Sequence, residues 1–387
     1  MSFFAEHPRT RWAVPVVAVV AVAAIGATTF VTSRTASADA GLPARSAAQL
    51  LADVSQSRLQ SLSGTVVQTA DLGLPQIPGL AGSTGGGGDT SLTSVVSGTH
   101  TWRVWLAGKA QQRLALVGSL GESDVIHNGQ DLWLWSSKDK TAVHHTLSAD
   151  EQKAAPGPGT TTLPRTPQEA ADMALAAMSP TTDVTTSGTA VVAGRQAYEL
   201  VLKPKDAATR IASVRVAIDS EKHIPLRVQI YSTKIANPAF EVGFTAVDFA
   251  TPDARQFAFN PPSGTTVTES NALAGHRPTT ANPSATKPAA KPGAPSPSPA
   301  TRAAGKPKVV GTGWSSVVVA TLPARDAGAD QQSQLAGILR AVPKVSGAWG
   351  SGRVVDGTLF SAVLTDDGRV AVGAVAPEQL YAALAAK

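Results

Sequence analysis

The hydrophobic positions change period several times along the chain. In Ser46 to Leu59 (SAAQLLADVSQSRL), Leu50, Leu51, Val54 and Arg58 fall at helical spacing behind a serine cap, which predicts a short amphipathic helix. Ser63 to Leu72 (SGTVVQTADL) then reads as a strand. Residues 73–97, with Pro75, Pro78 and the run Gly85 to Gly88, have no period and read as a loop. A series of strands follows at 98–107, 111–118, 122–128, 131–137 and 141–147. Turn signals separate them (Gly108-Lys109, Gly118 to Gly121, Asn128-Gly129 and the Lys/Asp cluster 138–140), which is the mark of an antiparallel meander.

After a loop at Pro156 to Pro164, a second helix is predicted from Thr166-Pro167 through Met178. It has Pro in its first turn and Glu169 near the positive end of its dipole. Strands resume at 184–192, 196–203, 212–219, 225–233 and 240–249. Helix, strands, helix, strands is an α+β pattern with one large antiparallel sheet. Residues 273–308 are rich in Ala, Pro, Ser, Thr and Lys with no apolar period, and read as a stiff, partly polyproline-II linker. At about 3.1 Å per residue such a segment spans on the order of 100 Å. The small unit beyond it, 309–387, has a strand at Ser315 to Thr321 and a helix at Asp330 to Val342. A hairpin from 359–364 to 369–375, turned at Asp366-Asp367-Gly368, and a last helix opened by Pro377 complete it.

The N-terminus decides the compartment. Residues 13–31 are nineteen residues without a charge, long enough to cross a bilayer core of about 30 Å. Arg9 and Arg11 precede the run and Arg34 is the next charge, which places the N-terminal tail 1–12 in the cytoplasm and the bulk of the chain outside. The length of the run favours an uncleaved single-pass anchor in the cell membrane. The alternative is a signal peptide cut after Ala38, at Ala36-Ser37-Ala38, with secretion of the rest.

Composition sharpens this picture. The chain has no cysteine, which excludes disulfides, thiolate nucleophiles, zinc–thiolate and iron–sulfur sites, and an acylated-cysteine anchor. The net charge of +5 is local: Arg277, Lys287, Lys291, Arg302, Lys306 and Lys308 lie within 270–308, which has no acid. The rest carries 27 basic against 28 acidic residues, so the expected folded parts are nearly neutral. Basic stripes interleaved with aromatics are missing, and no nucleic-acid partner is expected.

Little catalytic chemistry survives inspection. His144 and His145 are adjacent, so on a strand they point to opposite faces and cannot share a metal. The other histidines have no zincin spacing. Ser137 to Lys140 satisfies S-x-x-K but sits in a turn, and Gly311-Thr312-Gly313 lacks the rest of a dinucleotide fingerprint. No catalytic residue, metal or cofactor is expected, and a cell-envelope enzyme is a remote alternative. The informative feature is aromatic. Trp102, Trp105, Trp133 and Trp135 crowd into 34 residues, and the strands that carry them are apolar on both faces. Either both faces are covered, or one lines a pocket for an acyl chain.

Specific phrases resemble the LolA-like proteins. They are Asp124 to His145 (DVIHNGQDLWLWSSKDKTAVHH), Pro225 to Tyr231 (PLRVQIY), Glu241 to Phe249 (EVGFTAVDF) and the closing Phe257 to Val267 (FAFNPPSGTTV). Helix 46–59 running into strand 63–72 resembles the start of that fold, so the likeness spans about 46–270. Gly313 to Leu322 (GWSSVVVATL) and Val370 to Pro377 (VAVGAVAP) resemble the small second domain of the MucB/RseB family. The chain departs from that family in its first strand, which lacks an Asp-Gly, in its linker of about 36 residues and in its own membrane helix. The resemblance implies a half-barrel: a large curved antiparallel sheet with covering helices over 40–270, the linker 271–308 and a small α+β domain over 309–387. It also implies a regulatory binding protein that holds a lipid or lipoprotein acyl chain and docks a protein partner such as a transmembrane anti-sigma factor. A LolA/LppX-like lipid or lipoprotein carrier is the alternative. The wall residues expected for the acyl chain are Trp102, Val104, Leu106, Leu114, Leu116, Trp133 and Trp135.

Overall fold

The structure is a computed structural model, and it describes residues 42–74, 97–119, 121–148, 180–269, 307–321 and 342–386. The expected membrane helix at 13–31, the site after Ala38, the helix over 166–178, most of the linker 271–308 and the helix 330–342 up to residue 341 lie outside the described residues. Among the described residues no helix is long and apolar enough to cross a membrane.

Helix α1 (Ala47–Gln56) starts at a capping box: Ser46 Oγ accepts from the Gln49 backbone N–H, and Gln49 Oε1 accepts from that of Ser46. It ends before the expected Leu59, because Ser57 leaves the helix and donates its hydroxyl to the Lys222 carbonyl at 2.9 Å. The chain then enters the strands β1 (Ser61–Ala70), β2 (Gly98–Ala107), β3 (Gln111–Gly118), β4 (Gly121–Asn128), β5 (Asp131–Ser136) and β6 (Thr141–Thr146). A second run comprises β7 (Thr182–Val192), β8 (Arg195–Pro204), β9 (Ile211–Asp219), β10 (Pro225–Ser232) and β11 (Pro238–Asp248). The strap 249–265 leads from there to β12 (Thr266–Glu269).

These strands form one twelve-stranded sheet in the order β12-β6-β5-β4-β3-β2-β1-β11-β10-β9-β8-β7. The two meanders are zipped together in the middle by β1 and β11. Every pairing is antiparallel except β12 on β6, which is parallel. That strand is fully exposed and has no apolar alternation, so periodicity does not reveal it. Helix α1 packs through Leu50 on Tyr198, Leu200 and Ile218.

The second sheet has six strands in the order β13-β14-β18-β17-β16-β15. They are β13 (Lys308–Val310), β14 (Val317–Thr321), β15 (Lys344–Gly347), β16 (Gly350–Asp356), β17 (Ser361–Thr365) and β18 (Arg369–Gly373). Helix α2 (Pro377–Ala385) packs Leu380 and Leu384 on Val317, Val363 and Ala371. The expected hairpin is present as β17–β18, while β13, β15 and β16 are strands beyond those expected. They are short and glycine-rich or exposed, and β13 begins inside the stretch read as linker.

The two sheets touch. Ile211, Ala239 and Leu359 form a buried cluster flanked by Leu72, Trp314 and Phe360. Backbone bonds cross the contact, from Arg210 N–H to the Ala374 carbonyl (2.7 Å) and from Thr358 N–H to the Leu72 carbonyl (2.7 Å). The buried Arg210 guanidinium reaches Asp356 and the Gly357 carbonyl, and Trp314 Nε1 donates to Thr182 Oγ1 at 2.7 Å. The two units on either side of residues 270–306 thus pack directly.

Candidate ligand-binding face

Pairing register assigns each side chain of β2 to β6 to one of two faces, because directly opposed residues of an antiparallel pair share a face. One row runs Phe244–Val66–Trp102–Leu116. A second runs Val247–Gly64–Val104–Leu114–Val125–Leu134–Val143, and a third includes Leu62, Leu106 and Gln112. Through Gln68, Val242, Val228 and Val216 this face continues to the one on which α1 packs, so we refer to it as the helix face.

Trp102, Val104, Leu106, Leu114 and Leu116 all lie here, in one buried cluster with Leu62, Val66, Val242 and Phe244. Trp102 Nε1 points at Gln68 Oε1 (3.4 Å), so its one polar atom is accommodated within the apolar wall. Gly64 is needed in the second row: a Cβ there would sit 2.8 Å from the Phe244 ring and 2.6 Å from the Ala246 carbonyl oxygen. The burial is graded. Val104 and Leu114 are 6% and 8% exposed, Val125 and Val143 are half-buried, and Leu134 is 42% exposed. An apolar row thus leaves the core and opens to solvent at β5.

Trp133 and Trp135 do not join this wall. Register pairs Trp133 with Ile126 and His144, and Trp135 with Asp124 and Ala142, on the opposite face. Of the seven residues expected to line an acyl-chain wall, five share the helix face, and the two remaining tryptophans lie beneath the strap. Phe259 of the strap tilts against both indoles, with ring centroids 5.2 and 5.7 Å away, and Trp133 stacks on the His144 imidazole at 4.1 Å. The strap is also tied by Arg113, whose guanidinium reaches the Gln256 carbonyl (3.4 Å). Beneath it Ala115, Asp124, Ile126 and Ala142 are each 1% exposed.

Asp124 is the unusual group on this strap face. Its carboxylate is paired with Arg113 through Oδ2, while Oδ1 is buried with no hydrogen-bond partner. Burial pushes its pKa up to about 6, against the pull of Arg113. Arg113 and Arg103 both lie against the Trp105 ring, at 5.3 and 4.9 Å from its centroid. At the sheet edge His144 sits between Asp131 and Glu269, each 2.9 Å away. Burial disfavours the imidazolium there, but the hydrogen bonds to Asp131 and Glu269 outweigh it and raise the pKa. His145, on the helix face, is buried, so the adjacent histidines point apart.

Ser137 Oγ accepts from the Glu122 N–H in the β5–β6 turn, a structural use of the S-x-x-K serine. Among the described residues no three His, Asp or Glu side chains are grouped to hold a metal ion. Two clefts open at the surface. One of about 380 Å³ lies between the end of α1 and the β9–β10 turn, and one of about 220 Å³ is lined by Ser63, Thr65, Arg103, Trp105 and Asp248. The expected set does not include Leu134, which continues the apolar row, or the partnership of Phe259 with the tryptophans. The signals existed: Leu134 alternates against both indoles, and Phe257 and Phe259 stand in the closing phrase FAFNPPSGTTV.

No protein-family model matches the chain, and no curated protein matches it. Among solved structures the chain is similar to the MucA/MucB complex of Pseudomonas aeruginosa, at 15% identity over 88% of this chain and 96% of that one, with a TM-score of 0.39. It is similar to MucB in complex with MucA(peri), at 16% identity over 84% of this chain and 91% of that one, TM-score 0.37. A LolA-superfamily protein from Nitrosomonas europaea is 12% identical over 56% of this chain and 99% of that one, TM-score 0.20. At these identities and TM-scores the likeness assigns no residue a role.

Proposed function

We propose that this chain is an extracytoplasmic binding protein, held at the membrane by residues 13–31, that takes an acyl chain of a lipid or lipoprotein along the helix face. The observation that carries this reading is the apolar row Val104–Leu114–Val125–Leu134–Val143, continuous from the core to a Leu134 that is 42% exposed. Burying a methylene of a ligand there contributes about 0.8 kcal/mol, so against an association cost of at least about 4 kcal/mol more than about five methylenes must be buried along the row, a number an acyl chain supplies. The second sheet supports the partner-docking half of the reading. Val309, Val318 and Val372 line up across β13, β14 and β18 at 62%, 43% and 37% exposure, on the face away from α2's core. The partner in this reading is a membrane protein of the anti-sigma type, and a carrier without regulatory role would leave this row unused.

Native mass spectrometry of the full chain, released from detergent, tests the ligand. A co-purifying lipid mass, reduced severalfold by Leu134→Asp and unaffected by Trp133→Phe, is the expected result. No lipid mass and no binding of a fluorescent fatty acid would sink the proposal. Site-specific crosslinking in cells from Val318 tests the partner: capture of a transmembrane protein favours regulation, and capture lost on Val318→Asp identifies the surface.

A further inference from the structure

We infer that the cleft of about 380 Å³ between the end of α1 and the β9–β10 turn binds the anionic, phosphate-type head group of an amphiphile. Arg58, Lys222 and His223 bring three nitrogen bases to its walls, and Phe249 and Leu59 contribute its apolar side. The acids of this turn are already engaged. Arg195 holds Asp219 through a fork of two bonds and Glu221 at 2.9 Å. Glu221 also lines the cleft, with its carboxylate held by Arg195, and the Lys222 ammonium lies 5.8 Å from the centre of the Phe249 ring. Among the described residues neither Arg58 nor Lys222 forms an ion pair, so the two cations outnumber the one acid of the cleft.

The turn is shaped to present these groups. Asp219 Oδ1 accepts from the backbone N–H groups of Glu221 (3.0 Å) and Lys222 (2.6 Å), and His223 is held at φ +56, in the left-handed region that a side chain rarely adopts. Ser57 Oγ ties the end of α1 to the Lys222 carbonyl, so both walls of the cleft are fixed to each other. The apolar side continues inward, because Leu59 and Phe249 pack against the same buried cluster that contains Trp102 and Leu116. A guanidinium and an ammonium suit a tetrahedral oxyanion, and an apolar wall beside them suits a molecule whose anion carries a hydrocarbon. This inference rests on the acyl-chain reading above and names the other end of the ligand.

The test is isothermal titration of the full chain in phosphatidylcholine nanodiscs with three probes: a lysophosphatidic acid, the monoacylglycerol of the same chain, and inorganic phosphate. Lysophosphatidic acid is expected to bind at least about tenfold more tightly than monoacylglycerol. The double variant Arg58→Gln/Lys222→Gln should abolish that preference and leave monoacylglycerol affinity unchanged. Both side chains are exposed, and an unchanged thermal midpoint verifies the fold. Equal binding of the two lipids, or a preference that survives the double variant, overturns the anion site while the acyl-chain reading stands. Binding of neither lipid overturns the acyl-chain reading and the head-group assignment together. Inorganic phosphate binding as tightly as lysophosphatidic acid, and lost in the double variant, would overturn the amphiphile as the source of the anion.

Discussion

The two faces of β2 to β6 bury apolar side chains to a similar depth by different means. The helix face is filled by aliphatic rows and Trp102 that interlock with neighbouring strands of the same sheet, with the polar side chains of Gln68, Gln112 and Ser123 buried among them. The strap face is closed by one connecting segment, 249–265, held by Phe259 on two indoles and by Arg113 on a single carbonyl. It also encloses a carboxylate with one unpartnered oxygen. A wall assembled from many rows loses little when one end is open, as at Leu134. A wall closed by one segment depends on a few residues. The difference separates a surface suited to admitting a flexible apolar ligand from one committed to structure.

Four measurements probe this contrast, and the largest effect belongs to the helix face. Leu116→Ala removes a side chain that is 1% exposed and is expected to cost about 2–5 kcal/mol in denaturant unfolding. A cost below about 1 kcal/mol would mean the face collapses freely and is not a packed wall. On the strap face, Phe259→Ala should cost about 1–3 kcal/mol, since the ring is half-buried. It should also raise iodide quenching of tryptophan emission as Trp133 and Trp135 are uncovered, whereas Leu116→Ala should leave that quenching unchanged.

The buried carboxylate comes next. The folded pKa of Asp124 is about 6 against an ordinary 3.8, so the folded protein holds this proton more tightly than the unfolded chain does. Stability from this group therefore falls as pH rises between about 4 and 6 and is flat above 7, a loss of about 1 kcal/mol between pH 5 and pH 7. Asp124→Asn should flatten that slope, and an unaltered slope would remove Asp124 as its source. The smallest effect is at the edge. His144 has a raised pKa, so its contribution is complete below about pH 6.5 and is lost as pH rises through the higher folded value. With partners that are half-exposed the effect should stay below about 1 kcal/mol. His144→Gln should remove the decline above pH 6.5 while leaving the Asp124 window intact.

Much of the helix face is legible without coordinates. Alternation in GTHTWRVWLA, QQRLALVG and DLWLWS identifies the apolar sides of β2, β3 and β5. The tight connections between these strands set Asn128 opposite Asp131 and Gly118 opposite Gly121. Carried from strand to strand, those pairs place Leu134, and not Trp133 or Trp135, beside Val104 and Leu114. Treating the tryptophans as one group overlooks this, since large aromatic side chains draw attention that register does not justify. The cleft at Arg58 and Lys222 was beyond reach, because its walls are 164 residues apart in sequence and meet through one serine-to-carbonyl bond.

Local chemistry therefore settles which residues alternate and how the tight hairpins align, since periodicity and turn geometry act over a few residues, while short or exposed strands such as β12, β13 and β15 carry no such mark. Only the tertiary structure decides what covers each apolar side. The strap crosses Trp133 and Trp135 from more than a hundred residues away, β12 adds itself in parallel to β6, and the second sheet seats Leu359 against Ile211 and Ala239. Alternation states that a face must leave water. It carries no information on whether a helix, a strap, another domain or a ligand will replace the water, because burial of apolar surface is non-directional.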